Sequence, residues 1–148
     1  MEFNDLIADF ATRHGVENLM VEDSVAALDI DGIVVSLVSK DDTLVLSADI
    51  GEPPSEGEVE FADILLESNL QSDSVFAKSS ESGLYLVLRR MSLTLLDSDG
   101  FDSALESFVN LVETWRQALV DFRPLAKTAA EKASSEGPAF GSSGFMQV

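Results

Sequence analysis

Apolar positions along the chain change their spacing several times, and each change marks an element. Phe3, Leu6, Ile7, Phe10 and Ala11 recur every three or four residues, the stripe of an amphipathic helix. Gly15 follows, where a helix ends on a left-handed residue. Two apolar runs, Val25 to Ile30 and Ile33 to Ser39, flank Asp31-Gly32. A type I′ turn needs positive φ at both central residues, so Asp-Gly between two such runs predicts a hairpin. Thr43 to Ile50 predicts a third strand, reached through Lys40-Asp41-Asp42. Gly51-Glu52-Pro53-Pro54-Ser55 predicts a loop, because neither a helix nor a central strand absorbs two prolines.

A second helix is expected from about Glu58 to Leu70. Phe61, Ile64, Leu65 and Ser68 share one face, Leu66 and Leu70 widen it, and acidic residues crowd the first turn, where the helix dipole favours them. Val75 to Ser79 and Leu84 to Met91 predict two strands around a Ser80-Glu81-Ser82-Gly83 turn. The longest stripe runs through Phe101, Leu105, Phe108, Val112, Trp115, Leu119 and Phe122, a helix of six turns with Asp99 as its expected cap. The predicted order is α-β-β-β-α-β-β-α, an α+β fold of an antiparallel sheet packed with helices.

The strands are more apolar than one covered face requires. Ile33, Val35 and Leu37 alternate with Val34 and Val38, and Leu84, Leu86 and Leu88 alternate with Tyr85, Val87 and Met91. A sheet with one wet face alternates cleanly, so the second face is expected to be covered by a helix, a subunit or a ligand.

Charge and composition narrow the classes. The chain has 148 residues, the size of one domain, and 45% hydrophobic content excludes disorder throughout. Lys127 and Lys132 cancel Glu131 and Glu136, so residues 1–123 carry the whole net charge of −18. That charge excludes binding to nucleic acid or anionic lipid. Residues 124–148 read as a flexible low-complexity tail after a domain of residues 1–123, with Phe140, Phe145 and Met146 as apolar points in it. No basic n-region and no apolar run long enough to span a bilayer is present, so a soluble, cytoplasmic protein without membrane insertion is expected.

Candidate chemistry is sparse. Cysteine is absent, which removes thiolate nucleophiles, disulfides and metal–sulfur sites together. His14 is the lone histidine and falls at a helix end, where a dipole-favoured capping role outweighs that of a general base. Asp29-x-Asp31-Gly32 and Asp97-x-Asp99-Gly100 resemble the start of a calcium loop, but neither has Gly at position 6 or Glu at position 12. They are expected to be a hairpin turn and a helix cap. No G-x-S-x-G elbow or Gly-rich phosphate loop occurs, and Arg89-Arg90 would point to opposite faces of a strand. No catalytic residue, metal or cofactor is assigned, and a binding module is the expectation.

The chain resembles a class I type III secretion chaperone of the Tir chaperone (CesT) family over about residues 2–122. The likeness lies in the helix at Phe3-Asn4-Asp5-Leu6-Ile7, the Asp31-Gly32 hairpin, Ile64-Leu65-Leu66-Glu67-Ser68-Asn69-Leu70, and above all Val75-Phe76-Ala77, Glu81-Ser82-Gly83-Leu84-Tyr85-Leu86, Arg89-Arg90 and the closing helix through Trp115-Arg116. The resemblance implies a homodimer in the bacterial cytoplasm that binds the N-terminal region of a secreted effector in extended form, without consuming nucleotide. Phe3, Leu6, Ile7 and Phe10 would then line one wall of the effector site, and Val25, Leu28, Ile33 and Val35 the other. Phe61, Ile64, Leu65, Ser68, Leu84, Leu86 and Leu88 would make the dimer interface. A core would use the same residues, and the sequence does not separate the two sets. A regulator or adaptor of the same fold, or a small enzyme with a carboxylate site, are the alternatives.

Overall fold

The computed structural model describes residues 2–17 and 19–124. The expected tail lies outside the described residues, Pro124 excepted. The elements are α1 (Phe3–His14), β1 (Leu19–Glu22), β2 (Val25–Ile30), β3 (Ile33–Lys40), β4 (Thr43–Gly51), α2 (Glu58–Ser68), β5 (Ser74–Lys78), β6 (Tyr85–Ser92) and α3 (Ser98–Asp121). The strands form one sheet in the order β1-β2-β3-β4-β6-β5, antiparallel throughout. The α+β class is as the apolar pattern predicts, with one strand more.

That extra strand is β1. Leu19-Met20-Val21-Glu22 is too short to show a period, and it gains its identity only by pairing with β2 (Leu19 opposite Leu28). The Asp31-Gly32 hairpin forms as expected, with φ of 53° and 84°, and the Asp29 carboxylate accepts from the Gly32 N–H at 3.0 Å. Gly15 ends α1 at φ 62°. The cap of α3 is Asp97, not Asp99. Its carboxylate accepts from the Gly100 N–H at 2.7 Å, and a cap must stand outside the helix that begins at Ser98. Helix α2 stops at Ser68, two residues short of Leu70, which is left exposed.

One face of the sheet carries the core. Leu28, Val35, Leu37, Leu46, Ala48, Val87 and Phe76 point to it and are buried against the helices. Helix α1 supplies Phe3, Leu6, Ile7 and Phe10, and α3, lying along β4, supplies Phe101, Leu105, Phe108 and Val112. Phe61 brings α2 in by packing on Tyr85, Trp115 and Phe122. Two polar ties fix the helices. The Arg13 guanidinium forks onto Asp102 of α3 while its Nε donates to Asp9 at 2.8 Å, and Arg116 Nε donates to the Asp49 carbonyl at 3.0 Å. Ser98 also donates to Asp9, and the Ser98 and Arg13 bonds hold the Asp9 carboxyl below the usual carboxylate range.

Candidate functional site

The reverse face of the sheet has no element over it among the described residues. Alternation puts Met20, Val25, Val34, Val38, Val45, Leu86, Leu88 and Val75 on that side. Register sets them in rows: Val25 is opposite Val38, which is opposite Val45, and Leu88 lies between Ser47 and Val75. Met20 is 76% exposed, Val34 52%, Val25 50% and Val38 40%. The expectation of a covered second face thus becomes a bare apolar face in the single chain, free for something outside it to cover. Beside the β1 edge, Met20, Ala27 and Val34 floor a shallow depression of about 420 Å³ with Glu17 and Asp29 at its margin.

The two edges of the sheet differ. At β5 the Asn69 side chain acts as a substitute strand. Its Nδ2 donates to the Phe76 carbonyl at 3.2 Å and its Oδ1 accepts from the Phe76 N–H at 2.7 Å. Ser72 Oγ takes the N–H of Ser74, two residues away in the same phase. Side chains that consume outward main-chain groups block strand addition. The opposite edge is β1, with Met20 and Val21 exposed on it. Asn69 had no signal in the sequence beyond lying at a helix end, since only the chain reversal brings it beside Phe76.

The residues assigned to an effector wall divide unequally. Phe3, Leu6, Ile7, Phe10, Leu28, Ile33 and Val35 are all buried in this chain's own core, and only Val25 is exposed. The periodicity that selected them reports burial, and it does not say what does the burying. Of the residues assigned to a dimer interface, Phe61 and Leu65 are buried in the core and Ile64 is exposed on α2. Ser68 and Leu84 are half-buried, and Leu86 and Leu88 stand half-buried on the open sheet face. Apart from the reverse of the sheet, exposed apolar side chains remain on α2, with Ile64 on one side and Val59 and Leu66 on the other, and on Leu70 just beyond it.

His14 ends α1 with Nε2 3.1 Å from Asp102, and its ring lies 4.5 Å from that of Phe10. It belongs to the tie between α1 and α3 and not to the cap of α1, which is Gly15. The Arg13 fork is the main cause of an Asp102 carboxyl held below its usual range. Asp42 is lowered by hydrogen bonds from Ser92 and Thr94, which fasten the β3–β4 turn to the end of β6 and the segment after it. Among the described residues no group of three or more His, Cys, Asp or Glu side chains is placed to hold a metal ion, and no helix is long and apolar enough to cross a membrane.

A shallow apolar sheet face with one usable edge, set in an acidic surface, defines a protein-binding module. Its family follows from comparison. The profile of the Tir chaperone protein (CesT) family matches residues 5–116, and the chain belongs to that family. No curated protein matches it in sequence. Solved structures share the fold. The ExsC–ExsE complex gives a TM-score of 0.67 at 23% identity, covering 78% of this chain and 92% of that one. The Yersinia pestis type III secretion chaperone SycH, in complex with a stable fragment of YscM2, gives 0.62 at 23%, covering 77% and 99%. YbjN from E. coli, described as a candidate transcription regulator, gives 0.58 at 15%, covering 78% and 90%. The α+β fold is thus that of type III secretion chaperones.

Proposed function

We propose that this chain is a homodimeric chaperone of the bacterial cytoplasm. It holds the N-terminal segment of a type III secreted effector in extended form, soluble and competent for secretion, without nucleotide. The observation that carries this reading is the bare reverse face of the sheet. An extended segment can pair with the β1 edge through its main chain and lay alternate side chains over Met20, Val25, Val34 and Val38. The closed β5 edge directs it there. A net charge of −18 favours segments that are basic or neutral around their apolar residues and makes association slow as salt rises. The second apolar surface, on α2 around Ile64, is the proposed two-fold contact, and an isologous patch of this kind closes a dimer. In this reading Phe3, Leu6, Ile7 and Phe10 shape the effector site from beneath, by supporting β2 and β3.

Co-expression with the reading frames beside its gene tests the proposal. A secreted protein should copurify through its N-terminal segment, and light scattering should give twice the 15.9 kDa chain mass. A chain that remains monomeric as concentration rises removes the dimer. No complex with any neighbouring product removes the chaperone reading. The likeness to YbjN favours a second reading, a regulator of the same fold that uses the same face for another protein. Copurification with a partner that is not secreted would select it.

A further inference from the structure

The open sheet face carries charge as well as apolar side chains, and along β4 and β6 the two signs are kept apart. Register sets three rows on that side of the two strands: Val45 beside Arg90, Ser47 beside Leu88, and Asp49 beside Leu86. Arg90 and Asp49 are both exposed and stand at opposite ends of this lane. Successive rows are two residues apart, so the guanidinium and the carboxylate are rooted about 14 Å from each other.

Neither group is engaged within the chain. Arg13, Lys78, Arg116 and Arg123 each meet a carboxylate or a main-chain carbonyl. Arg90 has no hydrogen bond or ion pair among the described residues, although residues 1–123 carry −18. Lys40, also on this face, lies at the same end, in the row of Thr43 and Ser92. The Asp49 carboxylate is equally without a partner among the described residues, since it is the Asp49 carbonyl that holds Arg116. Between the two charges the lane has a low point. Ser36 and Ser47 are register partners, and their small side chains lie below the level of Val45, Leu86 and Leu88.

An extended chain rises about 3.4 Å per residue and shows every second side chain to one side. Residues i, i+2 and i+4 of a segment lying along β4 and β6 therefore meet the three rows in turn, and i to i+4 spans about 14 Å. We propose that this lane reads an extended partner segment with an acidic residue over Arg90, an apolar residue over Ser47 and a basic residue over Asp49. The occupant's pattern is acid-x-apolar-x-base, or its reverse when the segment runs the other way. The acidity of the whole chain favours the basic residue, and Arg90, with Lys40 near it, marks the end where this face takes an acid. The proposal rests on the open face being the effector site, and it adds what the stretch of effector beyond the β1 edge carries and in which register.

A displayed library of random twelve-residue peptides, panned on the full chain, is the probe. The pool from the unaltered chain should hold opposite charges four residues apart with an apolar residue midway. Enrichment over the starting library should be about tenfold, since each of two exposed ion pairs gives up to about fivefold. Reversing one charge of the lane should change one end of the motif only. Arg90→Glu should select a base at both ends, and Asp49→Lys an acid at both ends, with thermal melts showing that each variant is folded. A pool without the motif, or a motif that ignores either reversal, overturns the proposal. Ser47→Arg separates that failure from failure of the face itself, because its long side chain fills the low point without adding apolar surface. Pools that lack the motif but are lost on Ser47→Arg overturn the charge pattern and keep the open face as a binding surface. Pools that survive Ser47→Arg place binding elsewhere and overturn both.

Discussion

Replacing Val25 and Val38 together by threonine tests the open sheet face without disturbing what lies beneath it. The two residues are register partners on β2 and β3, 50% and 40% exposed. Threonine keeps the branched shape and the strand preference, and in the free chain its hydroxyl stays in water. Stability should therefore change by no more than about 0.5 kcal/mol per site, a melting shift of a few degrees. Binding is different. Fully burying a valine is worth about 1.5 kcal/mol at the lower end, so covering the half of each that is still exposed contributes about 0.7 kcal/mol. The pair contributes about 1.4 kcal/mol, and threonine forfeits it while adding hydroxyls to desolvate. Affinity for the effector segment should fall by about tenfold or more, read by titration calorimetry beside a thermal melt. An unchanged affinity with an intact melt would take the open face out of the binding site. A large fall in melting temperature would mean that these valines belong to the core.

Three other outcomes follow from the packing. Phe10→Asp should destabilise the chain by more than the roughly 3–5 kcal/mol of a phenylalanine truncation, because Phe10 packs edge-on to Phe101 at 5.4 Å and the substitution buries a charge there; a denaturant melt that barely moves would place Phe10 at the surface. Asp9 and Asp102 titrate below the ordinary 3.8, so their stabilising effect is complete above that value and is lost as pH falls through the lower folded values; Arg13→Met should lower the melting temperature at neutral pH and flatten the acid limb, so that the two profiles converge at low pH, and two profiles that coincide throughout would show the fork to be without consequence. Asn69→Leu should leave the outward N–H and C=O of Phe76 unpaired, lowering stability by about 1–3 kcal/mol and promoting association that grows with concentration, measured by light scattering; a monodisperse, equally stable variant would refute the edge-closing role.

What could be read ahead of the structure followed the length of each signal. Stripes of two turns or more, as in α1 and α3, and the Asp31-Gly32 turn are local patterns with one physical solution. Leu19-Met20-Val21-Glu22 shows no such pattern, because four residues hold two periods at most and its pairing with β2 is supplied by tertiary structure. Asp97 and Asp99 are equally good caps by type, and the start of α3 at Ser98 decides between them. In α2 the apolar residues are too many for one stripe. Phe61 and Leu65 go to the core while Ile64, Leu66 and Leu70 stay outside, a division that depends on where α3 ends and β5 lies. The wall residues illustrate the same limit. Val25 and Leu28 were equal as hydrophobes, yet the pleat sends one to each side of the sheet. Asn69 lay beyond reach for a related reason, since its role needs Phe76 at 2.7 Å.

The closed β5 edge also limits how many units can be joined. A sheet with two live edges behaves like a bifunctional monomer: each unit accepts one neighbour and offers itself to another, and growth has no natural end. With Phe76 engaged by Asn69, this chain is monofunctional in that sense. In the proposed reading β1 takes up a strand, and the engaged Phe76 groups make β5 a poor site for the next one. A protein that must keep an apolar sheet face bare can thus display it with less risk of seeding a fibre, because the termination step is built into the residue that caps α2.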